Sequence, residues 1–140
     1  SITMYITIVG LIYNIILRFT WQPQGLQLLV DESLHTLIPI LSIIYWWVYV
    51  RTSPIAWKKI GSWLAYPFIY FLFVLLRGIP SGFYPYPFIN VVDLGYSKVL
   101  INAIFIFMVF LLASIVFIAI GKWKQTGSEG TESINDLKNN

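Results

Sequence analysis

Four runs of apolar side chains, each closed by a basic residue, constrain this 140-residue chain more than any other feature. The first extends from about Ile2 to Leu17 and meets Arg18. The second extends from about Leu34 to Val50 and meets Arg51. The third, from about Ile60 to Leu76, meets Arg77, and the fourth, from about Val99 to Ile120, is closed by Lys122 and Lys124. About 17 residues at a rise of ~1.5 Å cover most of a ~30 Å hydrocarbon core, with interfacial residues completing the crossing. Strands would alternate apolar and polar side chains; these runs do not, so helices are the spanning form they suit. A water-exposed surface is not available to such a chain. Charged residues are 11% of it, against roughly 25% in a soluble domain, and mean hydropathy is +0.75. The predicted fold class is all-α: a polytopic transmembrane helix bundle with four helices over residues 1–124. A polar, Gly/Ser/Asn-rich tail, 125–140, has no hydrophobic period and is expected to be disordered.

Aromatic residues mark the ends of the runs. Trp46, Trp47 and Tyr49 precede Arg51, Trp57 and Trp63 flank Lys58 and Lys59, Trp21 follows the first run, and Trp123 sits between two lysines. Such rings favour the headgroup layer. Arg51, Lys58, Lys59, Lys122 and Lys124 fall on one side of the membrane. Arg18, Arg77 and Lys98 fall on the other, together with Asp31, Glu32 and Asp93. The positive-inside rule then places both termini in the cytoplasm of a multi-pass cell-membrane protein, with the Trp21–Glu32 and Gly78–Tyr96 loops outside. The net charge of +3 has no aromatic-interleaved basic stripe behind it, so membrane lipids are the expected partners and nucleic acid is not. Ser1 stands directly against Ile2, with no initiator methionine and no charged flank. The first helix therefore reads as cut into, and the chain as the C-terminal part of a longer protein.

Polar groups beside a membrane span are costly, which makes them the places to look for chemistry. Asn14 and Arg18 are one turn apart near the outer end of the first helix, and Asp31 and His35 are one turn apart at the start of the second. Arg77 ends the third helix on the same side. Tyr84, Tyr86, Asn90 and Asp93 lie in the outer loop, and Lys98 and Asn102 share a face of the fourth helix. His35 is the only histidine. Asp31 is placed to accept its Nδ1 proton and leave Nε2 as a base. Pro39 has no N–H for the His35 carbonyl, so that carbonyl is expected to be free and the helix kinked. A second reading stands beside this one: Asp31-Glu32-Ser33 is also an ordinary helix N-terminal cap.

Arg18 and Arg77 also suit snorkelling to the headgroups, and Asn102 an interhelical hydrogen bond. Tyr84-Pro85-Tyr86-Pro87-Phe88 is a rigid extended segment, either a lid over the outer face or an interfacial anchor. Thr36 points about 100° away from His35 on a regular helix, which makes it a poor nucleophile. With no cysteine, one histidine, no paired acidic cluster and no phosphate-cradling loop, neither metal nor cofactor is expected.

Leu34-His35-Thr36-Leu37-Ile38-Pro39, followed by Tyr84-Pro85-Tyr86-Pro87-Phe88, resembles the androgen-induced-protein family, which includes androgen-dependent TFPI-regulating proteins and bacterial membrane proteins. Gly10-Leu11-Ile12-Tyr13-Asn14 and Val92-Asp93-Leu94-Gly95-Tyr96 extend the resemblance over about Ile2 to Ile120. The resemblance implies a six-helix protein of which this chain holds the last four helices. It also implies hydrolysis of fatty-acid esters by a membrane-embedded threonine paired with a histidine. The histidine corresponds to His35 and the threonine would lie upstream of Ser1. On the residues alone, a non-catalytic membrane protein, a small transporter or an assembly partner, is the other reading.

Overall fold

The computed structural model describes residues 2–20, 22–49 and 56–138, with side chains as far as residue 124. Trp21, Val50 and Arg51, which the sequence places around the ends of spans, lie outside the described residues. Those that are described form an all-α chain without strands. α1 (Ile2–Ile12) runs into a π turn, Tyr13–Leu17. α2 (Leu26–Glu32) continues through a second π turn, Ser33–Leu37, into α3 (Ile38–Tyr49). α4 spans Lys59–Ser81, a single 3-10 turn Pro87–Ile89 follows, and α5 spans Val91–Lys138.

Three of these helices are long and apolar enough to cross a membrane: Leu26–Tyr49, Lys59–Ser81 and Val91–Lys124. Ile2–Leu17 is apolar but shorter. Only 6%, 11% and 11% of their most apolar stretches are buried within the chain. Apolar area left in water costs about 25 cal/mol per Å², so outward faces made of residues such as Leu41, Ile69 and Phe105 call for a hydrocarbon solvent. The chain is built for a membrane.

The helices begin and end further out than hydropathy places them. The second starts at Leu26, not Leu34, so Asp31 and Glu32 lie within a helix rather than in a loop. The residue at its N-terminal boundary is Gly25, and Asp31-Glu32-Ser33 is therefore not the cap. α4 passes Arg77 and stops at Gly82, whose φ of 64° only glycine adopts easily and whose N–H bonds the Gly78 carbonyl at 2.8 Å. α5 starts at Val91, not Val99, and breaks at Gly95. Its backbone stays helical through the polar stretch to Lys138, where composition predicts no regular structure. Extending a helix already nucleated by an apolar span requires only propagation, one bond per residue fixed.

The chain forms two compact units, Ser1–Ile55 with Ala119–Asn140, and Ala56–Ile118. In the first, α1 lies along α3, burying Met4, Ile8, Tyr13 and Trp46. Gly10 makes this approach possible: a Cβ there would sit 2.8 Å from Pro39 Cγ and 3.0 Å from the His35 carbonyl oxygen. Toward the C-terminal end of α3, Lys124 donates to the Trp47 carbonyl and lies 5.6 and 5.2 Å from the Trp46 and Trp47 rings. In the second unit, Val74, Ile89 and Val99 form a small core, with Phe71, Leu75, Tyr84 and Phe88 packed around it.

Candidate functional site

The polar residues of the first unit converge where the two π turns meet. A π turn puts an extra residue into the helical repeat; such turns are mostly single insertions within α-helices and are frequent at functional sites. The first is closed by the Arg18 N–H on the Tyr13 carbonyl at 2.8 Å, the second by the Ile38 N–H on the Ser33 carbonyl. Pro39 lies just beyond the second turn and donates no N–H to His35. The expected free carbonyl is not free. Asn14 Nδ2 donates to it at 3.0 Å and to the Gly10 carbonyl at 2.9 Å, while Asn14 Oδ1 accepts from the Arg18 guanidinium at 2.7 Å. Thr36 Oγ1 lies 3.4 Å from both side-chain polar atoms of Asn14. One asparagine thus satisfies the gap that a proline opened on the neighbouring helix.

His35 sits against this seam. Its Nδ1 is 3.1 Å from Asp31 Oδ1 and 3.1 Å from the Asp31 carbonyl oxygen. The Tyr13 ring stacks on the imidazole, centroids 4.2 Å apart and planes 13° from parallel, and the Tyr13 hydroxyl donates to Asp31 Oδ2. Asp31 and His35 side chains are 13% and 29% exposed, so the pair is shielded but reachable. A neutral imidazole that donates Nδ1–H to Asp31 carries its lone pair on Nε2, which has no hydrogen-bond partner among the described residues. Beside them Arg18 pairs with Glu32, both more open to solvent.

Asn14, Arg18, Asp31 and His35 are therefore brought together. Arg77, Tyr84, Tyr86, Asp93 and Asn102 belong to the second unit. Arg77 is exposed on α4. The Tyr84 ring occupies the space a Cβ on Gly78 would need. Tyr86 has extended backbone and its ring stacks on Phe88, centroids 5.3 Å apart. Burial, and then a hydrogen bond with Tyr70, push the Tyr86 phenol up to about 12. Asn90 donates to Asp93 and accepts the Val92 N–H at 3.0 Å, tying down the start of α5. Asn102 Nδ2 donates to the Phe88 carbonyl at 2.8 Å. These contacts anchor the loop.

Tyr13, Glu32 and Thr36 were not candidates on sequence. Regular helical counting turns Thr36 about 100° from His35 and separates Tyr13 from Asn14 by the same angle. In the structure both neighbours of each pair reach the seam, Tyr13 on Asp31 and His35 and Thr36 on Asn14. A tyrosine next to the asparagine, on the stretch opposite an Asp-x-x-x-His, is the signal that was present.

No protein-family model matches the chain, and no curated protein or solved structure matches it either.

Proposed function

We propose that this chain is part of an integral-membrane hydrolase of fatty-acid esters, with His35 as general base and Asp31 as the group that orients it. The observation that carries the reading is the Nδ1–Asp31 contact at 3.1 Å, which leaves Nε2 as the bare nitrogen. The supporting resemblance is the Leu34–Pro39 and Tyr84–Phe88 motif pair. Among the described residues no serine or threonine hydroxyl is hydrogen-bonded to His35, and Thr36 is engaged with Asn14. In this reading the attacking hydroxyl belongs to a threonine outside these 140 residues. Nε2 takes the hydroxyl proton as oxygen bonds to the ester carbonyl, and returns it to the departing alkoxide as the C–O bond breaks. Water then cleaves the acyl-enzyme through the same base. The orientation with both termini cytoplasmic puts the site near the outer face of a cell membrane, where an ester group at headgroup depth meets it.

The test is turnover of a long-chain fatty-acid ester by the full-length protein in lipid nanodiscs. His35→Ala is expected to lower turnover at least 100-fold with the fold retained. Equal turnover by wild type and variant contradicts the reading. One observation favours a non-catalytic role, as small transporter or assembly partner: Asn14 stitches two helices with all its polar atoms paired inside the chain. That role predicts Asn14→Ala and His35→Ala to alter stability or assembly and to leave no esterase activity to lose.

A further inference from the structure

An Asp–His pair keeps its base nitrogen aimed when the carboxylate holds one ring nitrogen and the ring does not turn over. His35 lies in a π turn, a part of the helix whose repeat is widened, and its Nδ1 has two acceptors on the same residue. Neither acceptor by itself fixes the ring. The Asp31 carboxylate, on α2, is also free to rotate about its own side-chain bonds unless its second oxygen is held.

Tyr13 supplies both restraints at once. Its hydroxyl takes Oδ2 of Asp31, which leaves Oδ1 directed at Nδ1. Its ring covers the imidazole at 4.2 Å and 13° from parallel, which resists rotation about the His35 ring bond. Tyr13 is itself 5% exposed, the most buried member of the cluster, so it is the fixed wall against which the other two are set. Asn14, the next residue, holds the His35 carbonyl, so consecutive residues of one π turn grip the histidine by side chain and by backbone.

We propose that Tyr13 is the positioning residue of the His35 base: it clamps the Asp31 carboxylate and the imidazole together, so that the proton resides on Nδ1 and Nε2 is bare. It touches no reacting atom. This rests on the proposed role of His35, but its primary readout does not require turnover.

Because His35 is the only histidine of these 140 residues, 15N-histidine labelling of this chain gives the signals of a single imidazole. In nanodiscs the neutral wild-type ring is expected to show a protonated Nδ1 and an unprotonated Nε2. Tyr13→Phe keeps the stacking ring and removes the hydroxyl. The proton is then expected to distribute between both nitrogens, and, in the full-length protein, kcat for ester hydrolysis to fall about tenfold with little change in KM. A wild-type ring protonated on Nε2 overturns the proposal with no variant needed, which covers the case in which Tyr13→Phe does not fold. A Tyr13→Phe ring identical to wild type overturns it as well. If the tautomer shifts as expected and no ester is turned over by the full-length wild type, the Tyr13 clamp stands and the hydrolase reading falls. If turnover depends on His35 but the tautomer ignores Tyr13, the hydrolase reading stands and the clamp falls.

Discussion

Both units of this chain use a glycine to let something bulky approach a helix, and they use it to opposite ends. At Gly10 the visitor is Pro39 of α3, and the close backbone contact brings polar groups together: Asn14, Thr36, Tyr13, Asp31 and His35. At Gly78 the visitor is the Tyr84 ring, and the contact seals an apolar core of Val74, Ile89 and Val99 beneath the Tyr-Pro loop. The same missing Cβ creates a charged, partly open seam in one place and a loop anchor in the other. Small residues set the distance between elements. What that distance is used for depends on the polarity of the side chains around it.

Filling each glycine separates the two. Gly78→Leu carries the larger effect, because an added Cβ alone would lie 2.2 Å from a rigid aromatic carbon of Tyr84. The loop must leave, and a loss of about 3 kcal/mol is expected in denaturant titration of the purified protein. Replacing Tyr84 by Gly in the same background is expected to recover part of it. Gly10→Ala meets Pro39 at 2.8 Å and is expected to cost about 2 kcal/mol in the same titration. It is also expected to weaken the Asn14–His35 bond, which Gly78→Leu leaves alone.

The polar seam is tested within itself by Asn14 and Pro39. Asn14→Ala leaves the His35 carbonyl unpaired, with an expected cost of about 1 kcal/mol. In a Pro39→Ala background, residue 39 regains an N–H to offer that carbonyl, so the same Asn14→Ala change is expected to cost less. A double-mutant cycle measures the difference, expected at about 0.5 kcal/mol. Strict additivity would mean that Asn14 does not serve the gap left by proline.

The alkaline behaviour of the loop is visible only above about pH 10. Tyr86 ionises near 12 in the folded protein and near 10 when unfolded, so the folded chain holds the extra proton between those values. Stability from this group is fully present below about pH 10 and is lost as pH rises toward 12. Tyr86→Phe is expected to remove one phenol that ionises above pH 10 from a phenolate absorbance titration and to flatten that alkaline loss.

How far the sequence reads correctly follows the same division. The apolar runs announce themselves because hydropathy integrates over many residues, and a span near α3, α4 and α5 survives any single exception. Their ends do not, since a helix continues beyond the apolar run with Asp31 and Glu32 on it, and hydropathy sees only the charge. Asp31 and His35 were legible as a pair because one turn separates them on a helix. Tyr13 and Thr36 were not, because their contacts cross to another helix and no local spacing records them. Pro39 announced an orphaned carbonyl, but not that Asn14, on a helix distant in sequence, would accept the task. In the second unit, Tyr84 and Tyr86 were noticed as a rigid run. That Gly78 seats one of them depends on tertiary contact and leaves no local trace.

The proposed base is the bare Nε2 of His35, and chemical rescue takes that nitrogen away and puts it back. His35→Gly removes the imidazole and leaves space for a free one beside Asp31. In nanodiscs, ester turnover by full-length His35→Gly is expected to fall at least 100-fold and to recover with added imidazole, in proportion to its neutral form. Turnover that persists in His35→Gly without imidazole contradicts the account.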